Sequence, residues 1–289
     1  MKKLLIGFLC IFMPIVLAGC AVRTSFEDEN KEEIRVISTS AALCEIMEEL
    51  DLDLVGIPHT AFQLPERYKD VTEVGTPMTP DMEIIKSLNP TDVLTPNSLQ
   101  YDLKPQYESI GVPSTFVNLM SLEGMFKSIE GLGKKYNRVP EATALIEEYN
   151  GFMRDYNQKI EGKEKPRVLI LMGLPGTYMV ATEKSYVGSL VKLGGGINVF
   201  EGEEAFLSIN TEALLQADPD IILRTSHAMP EMIMEAFEKE FRENDIWKHF
   251  RTVQEGRVYD LSHNIFGMSG NLNYKEGLEF LQGLLYEED

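Results

Sequence analysis

Short apolar runs alternate with amphipathic stretches along most of the chain. IRVIST (34–39) has the unbroken apolar character of a buried strand, and AALCEIMEELDL after it sets Leu43, Ile46, Met47 and Leu50 at helical spacing. LVGIPH (54–59) reads as the next strand. In VGTPMTPDMEIIKSLNPTDVLTP a turn leads into a helix, with Thr79 the expected cap and Pro80 its first residue, and NP ends that helix before the strand TDVLT. LKPQYESIGVPSTFVN repeats the sequence of helix then strand. Such alternation predicts a parallel sheet flanked by helices.

The longest helical pattern covers residues 140–160, where Leu145, Tyr149, Phe152, Tyr156 and Ile160 recur every three or four positions behind Pro140. A helix of this length extends roughly 30 Å, enough to pass from one lobe to another. A second alternating series follows: RVLILMG as strand, SYVGSLVKLGG as helix, NTEALLQADPDIIL as helix and strand, MPEMIMEAFEKEFREN as helix and GRVYDLS as strand. The expected architecture is therefore two α/β lobes with parallel sheets joined by a single long helix. The boundaries fall at 34–118, 119–165 for the helical connection, and 166–289. No fixed-period repeat marks a solenoid.

The first residues break this pattern. MKKLLIGFLCIFMPIVLAGC carries two lysines, an apolar run from Leu4 to Gly19, and a cysteine. The run would rise about 24 Å as a helix, short of the ~30 Å hydrocarbon core, which fits a secretory signal over 1–19 better than a membrane span. LAGC (17–20) resembles the lipobox of bacterial lipoproteins, so Cys20 is the expected lipid anchor. Residues 20–33 are polar and aperiodic, as in a flexible tether. Cleavage before Cys20 removes Cys10, and a lipidated Cys20 leaves Cys44 as the remaining thiol, so no intramolecular disulfide is expected.

Composition narrows the function. With 289 residues, 44% hydrophobic and 25% charged, the chain is long enough for two lobes. A net charge of −19 with no basic stripe argues against nucleic-acid binding. LMGLPGTY and KLGGGINVF match neither dinucleotide nor P-loop spacing, and no G-x-S-x-G or H-E-x-x-H motif is present. Catalysis therefore has little support.

The histidines are His59, His227, His249 and His263, far apart in the chain. A zinc site would need several such ligands brought together. His249 in DIWKHF reads as a surface residue, whereas His59 and His263 each follow a strand and either could face a cleft. His227 lies between the strand DIIL and a helix starting near Pro230. Ligands of open α/β sheets bind at that kind of junction, so His227 is either a ligand or a loop histidine bonded to solvent. Met78, between Pro77 and Thr79, holds the analogous place in the first half and lies off the core stripe of Met82, Ile85 and Leu88. A thioether and an imidazole form a standard axial pair for haem iron, although fourteen methionines weaken any pairing drawn from spacing.

IRVISTSAALCEIMEELDLDLVGIP, VGTPMTPDMEIIKSLNPTDVL, SYVGSLVKLGGGINVF, INTEALLQADPDIIL and HFRTVQEGRVYDL together resemble the iron-siderophore and cobalamin substrate-binding proteins of bacterial ABC importers. The resemblance covers about residues 34–289. Within that group, LPERYKDVTEVGTPM, VLILMGLPGTYMVATEKSY, PDIILR, HAMPE and NDIWKHF are similar to segments of the haem-receptor lipoproteins of Gram-positive bacteria. The resemblance implies one haem b per chain in a shallow cleft between lobes that close little, with Met78 and His227 as iron ligands. It implies further contacts from Ala41, Ala42, Thr60 and Ala61, with His59 a possible extra contact because HTA departs from the pattern there. Glu73 and Glu212 match the acidic positions that dock onto permease arginines. The implied partners are haem, an ABC importer permease, cell-wall haem donors and the membrane, on the extracellular face.

The nearest alternative is the same fold carrying a ferric siderophore or cobalamin, with Arg224 and Tyr178 holding an anionic chelate. A surface enzyme and a ligand-free adhesin are the readings from other classes. The first lacks a catalytic motif, and the second predicts a protein that stays colourless when haem is added.

Overall fold

Strand β1 (Val36–Ser38) feeds helix α1 (Ala41–Glu49), and β2 (Leu54–Gly56) returns to lie parallel beside β1. The computed structural model describes residues 33–226 and 228–286, so the proposed signal, Cys20 and His227 lie outside the described residues. A small hairpin, β3 (Gly75–Thr76) and β4 (Thr79–Pro80), precedes α2 (Met82–Ser87). β5 (Asp92–Pro96), α3 (Gln100–Ile110) and β6 (Ser114–Val117) complete a parallel sheet in the order β2-β1-β5-β6.

The hairpin corrects one expectation. Thr79 and Pro80 pair with Thr76 and Gly75 instead of opening the helix. Asp81 caps α2, its carboxylate accepting from the Glu83 N–H at 2.9 Å and the Ile84 N–H at 3.0 Å. An aspartate can satisfy two orphan amides of the first turn, so the cap moves to it and Thr79–Pro80 is released to the hairpin.

Helix α4 (Leu122–Lys135) leads into α5 (Val139–Ile160), whose 22 residues extend about 33 Å. Buried Asp92, at the start of β5, accepts hydrogen bonds from Thr115 Oγ1 (2.9 Å), Lys135 Nζ (2.5 Å) and the Tyr136 hydroxyl, pinning the end of α4 to the first sheet.

The second lobe contains β7 (Arg167–Leu174), β8 (Thr177–Ala181), α6 (Tyr186–Leu193), β9 (Ile197–Asn198), β10 (Phe206–Leu207) and α7 (Thr211–Gln216). It continues through β11 (Ile221–Ser226), α8 (Pro230–Glu243), α9 (Arg251–Gln254), β12 (Val258–Asp260) and α10 (Tyr274–Leu285). Its sheet runs β10-β8-β7-β11-β12, with β9 also on β7. β11 is parallel to both β7 and β12, but β8 is antiparallel to β7 and β10 is antiparallel to β8, so this sheet is mixed where a parallel one was expected. Only Pro175 and Gly176 separate β7 from β8, too few for a parallel crossover, and Gly176 (φ 79°) supplies the left-handed residue of the turn.

Alternation explains how the strands are used. Val36 and Leu94 face one core while Ile37 and Val93 face another; in the second sheet Val168, Ile170, Ile221 and Leu223 point one way and Leu169, Leu171 and Ile222 the other. Strands buried on both faces read as continuous apolar runs, as these do. One core is shared by both lobes. It joins Val36, Leu43 and Ile46 to Val168, Ile170 and Tyr186 through residues of α4, α5 and α10. Phe126 stacks on Tyr149 (4.2 Å between centroids), and Tyr274 meets Phe126, Tyr149 and Phe152 edge-on. The Gly270 N–H also donates to the Leu119 carbonyl at 2.6 Å.

Burial raises the phenols of Tyr68, Tyr136, Tyr156, Tyr186 and Tyr274 and pushes the Cys44 thiol up to about 12. Each group holds its proton more tightly folded than unfolded. The stabilisation is therefore complete below the unfolded values and is lost as pH rises through the folded ones. Thermal melts should show a Tm that falls steadily above about pH 9. Cys44 should resist a thiol reagent at about pH 8 until denaturant is added.

Candidate ligand cleft

In open α/β sheets ligands collect outside the carboxyl ends of the strands. At that edge of the first lobe, β1 passes through Thr39 and Ser40 into α1, whose first residues are the half-buried Ala41 and Ala42. Buried hydroxyls hold this crossover. Thr39 Oγ1 donates to the Leu94 carbonyl (3.0 Å) and contacts Thr95 Oγ1 (3.1 Å), which in turn meets the Tyr107 hydroxyl (3.0 Å). Ser40 caps α1 by accepting from the Leu43 N–H, and no acidic residue lies in the first turn.

The loop leaving β2 carries His59, Thr60, Ala61 and Phe62 along the same edge. It is stitched to the hairpin by the Ile57–Glu73 bridge and by the His59 N–H donating to the Gly75 carbonyl at 2.8 Å. Pro77 and Met78 form the hairpin's tip, closed by a 2.7 Å contact between the Thr76 and Thr79 hydroxyls. Gly75 adopts φ 91°, and a Cβ there would lie 2.9 Å from the Thr79 carbonyl oxygen, so glycine is required for the strands to meet. Met78 is thereby held out on a short constrained turn, 64% exposed. The structure thus brings Ala41, Ala42, Thr60, Ala61 and Met78 to one edge of one sheet.

In the second lobe β11 ends at Ser226, immediately before His227, and β12 runs on to His263. The parallel register, with Arg224 opposite Asp260, brings both chain segments out on the same edge. Met229, just before α8, is 57% exposed and held at φ 51°, a left-handed backbone that costs a bulky residue energy. Met232 in the first turn of α8 is also exposed. Among the described residues, buried polar atoms without a partner include Asn97 Oδ1 and Ser226 Oγ, which directly follow β5 and end β11 respectively. Orphaned groups are rare, and these two fall at the ligand-binding edges of the two sheets.

The other residues with expected roles are also accounted for. Arg224 is 8% exposed, forms a bidentate pair with Asp260 (2.6 and 2.8 Å), and lies over the Phe237 and Phe241 rings. Tyr178 packs beside Phe237 and Trp247. Both are committed within the lobe. Glu73 and Glu212 are exposed, but His59 Nδ1 sits 2.8 Å from Glu73 Oε2, so the histidine engages the acidic residue. His249 is exposed in the turn 245–249. Among the described residues no group of three or more His, Cys, Asp or Glu could hold a metal ion, and no helix is long and apolar enough to cross a membrane. Sequence reasoning missed Phe62 and Met229. An aromatic ring in the loop leaving β2 was the signal for Phe62, but the strained backbone at Met229 leaves no mark in residue type.

Two α/β lobes on a shared core, with exposed apolar side chains near the carboxyl ends of their strands, have the make-up of a ligand-binding protein. Residues 36–264 match the Periplasmic binding protein family, and the chain belongs to it. It is 42% identical over 284 residues, 96% of each chain, to the high-affinity heme uptake system protein IsdE of Staphylococcus aureus. It also resembles the crystal structure of S. aureus IsdE complexed with heme (43% identity, TM-score 0.84, 88% of this chain and 100% of that one). A substrate-binding protein of an ABC transporter from Listeria monocytogenes is similarly close (45% identity, TM-score 0.85, 89% and 100%).

Arg224→Lys removes the bidentate, stacked geometry and should lower stability by about 1–3 kcal/mol in urea denaturation. Met229→Gly relieves the left-handed strain and should raise it by about 1 kcal/mol in the same measurement.

Proposed function

We propose that this chain is a membrane-anchored haem receptor that hands its cargo to an ABC importer for iron acquisition, binding without turnover. The observation that carries the reading is Met78, a thioether held 64% exposed on a constrained turn at the ligand edge of a sheet. A soft thioether held out this way is sterically free to reach a ligand's metal ion. Met229 and Met232 add exposed apolar surface at the second lobe's edge, which suits a large, flat, mostly apolar cargo. The likeness to IsdE, crystallised with heme, supports the same cargo.

In this reading each chain binds one haem b. Met78 from the first lobe and His227 from the second ligate the iron, and Ala41, Ala42, Thr60 and Ala61 contact the macrocycle. Methionine ligation raises the iron's reduction potential relative to two imidazoles. Cys20 carries lipid on the extracellular face, residues 20–33 are the tether, and lobes 34–118 and 166–289 flank the connection 119–165. Glu73 and Glu212, both exposed, dock onto permease arginines, and cell-wall proteins donate the haem. The siderophore alternative loses its candidate cation, because Arg224 is engaged by Asp260 and two aromatic rings.

Haemin added to the soluble domain should give saturable one-to-one binding with a low-spin absorption spectrum, changed by both Met78→Ala and His227→Ala. A wild-type protein that takes up no haemin would overturn the proposal. A change from His227→Ala alone would remove Met78 from the iron. For the anchor, Cys20→Ala should move the protein from the membrane fraction into the medium.

A further inference from the structure

The rings of Phe62 and His263 meet across the two lobes, with centroids 5.5 Å apart and planes inclined by 40°. That geometry lies within the favourable range for aromatic pairs. Neither residue belongs to the hydrophobic clusters of the fold, and Phe62 remains 43% exposed, so the contact is not a piece of core. Both rings stand on braced turns. The Phe62 N–H donates to Thr60 Oγ1 at 3.2 Å, and the same loop is tied to the Met78 hairpin through His59 and Gly75. On the other side the Ser262 carbonyl accepts from the Ile265 and Phe266 N–H groups. Thr225 Oγ1 donates to the Phe266 carbonyl at 3.0 Å, and Asn271 Nδ2 donates to the Ile265 carbonyl at 3.1 Å. Two braced loops from opposite lobes thus bring aromatic rings together, and one of the loops is hydrogen-bonded to the hairpin that carries Met78.

We infer that Phe62 and His263 form a clasp across the mouth of the cleft that governs how long a flat apolar ligand is retained. The inference rests on the haem reading for the identity of that ligand. The clasp acts on release and leaves the iron ligands alone, so its loss changes a rate and not a spectrum.

Haem loss from the loaded protein to an excess of apomyoglobin measures this directly. Phe62→Ala and His263→Ala should each speed loss by about 3- to 10-fold, the worth of one aromatic pair, with the low-spin spectrum unchanged. The double variant should be no faster than either single one, and Phe62→Tyr and His263→Phe should restore slow release. Unchanged rates, or single effects that multiply in the double variant, would overturn the clasp. Hydrogen exchange on the ligand-free protein tests the contact without haem. His263→Ala should speed exchange over 58–63 in the opposite lobe, and Phe62→Ala over 261–265. Effects confined to the mutated loop would overturn the clasp even if haem binds, whereas a protein that takes up no haem yet shows the reciprocal effects would keep the clasp and lose the haem reading.

Discussion

The hydrophobic core shared by the two lobes is the constraint on which the rest of the structure depends. Leu43 and Ile46 of α1, Met125 and Ile129 of α4, Tyr156 of α5, Ile170 of β7 and Leu278 of α10 belong to one continuous buried cluster. Separating the lobes would expose that cluster to water at a cost proportional to its apolar area. The stacked and edge-on rings around Tyr274 add directional preference where α4, α5 and α10 meet. Such a junction favours one relative placement of the sheets and resists a wide hinge motion.

With the lobes fixed, the edges of the two sheets can be equipped separately. The first lobe uses a hydroxyl network below α1 and a two-residue hairpin tip, so that backbone hydrogen bonds determine where Met78 stands. The second spends its one buried arginine on holding itself together: the Arg224–Asp260 fork joins β11 to β12 just before both chain segments leave the sheet. A buried guanidinium satisfied by a carboxylate and two rings has little left to offer an anionic ligand. The edges carry exposed Met78, Phe62 and Met229, and among the described residues Asn97 Oδ1 and Ser226 Oγ there have no partner. Acidity is kept to exposed positions such as Glu212 and Glu73, the latter paired with His59.

Much of the architecture was legible in the chain. β1, α1, α6 and α8 lie within segments whose apolar spacing announced them, and β5, α5, β7 and β11 overrun theirs by one to three residues. Their signals are strong because each strand is buried on both faces and each helix on one, so burial and periodicity coincide. The small hairpin escaped notice because TPDME offers two capping residues, and only the pairing of Gly75 with Pro80 decides between them. The antiparallel β8 was likewise hidden in LPGTY, where turn chemistry outweighs strand pattern.

The sequence by itself determined the class of fold and the order of its helices and strands, because periodicity is a local property, whereas Met78 and His227 stand as candidates through the family resemblance. The tertiary structure decided which groups are free. Arg224 and Tyr178 look available in the sequence and are consumed by packing, whereas Phe62 and His263, two hundred residues apart, carry no sign of their pairing and face each other. Availability depends on what lies across space from a side chain, and contacts between lobes are set only when the shared core brings the sheets together.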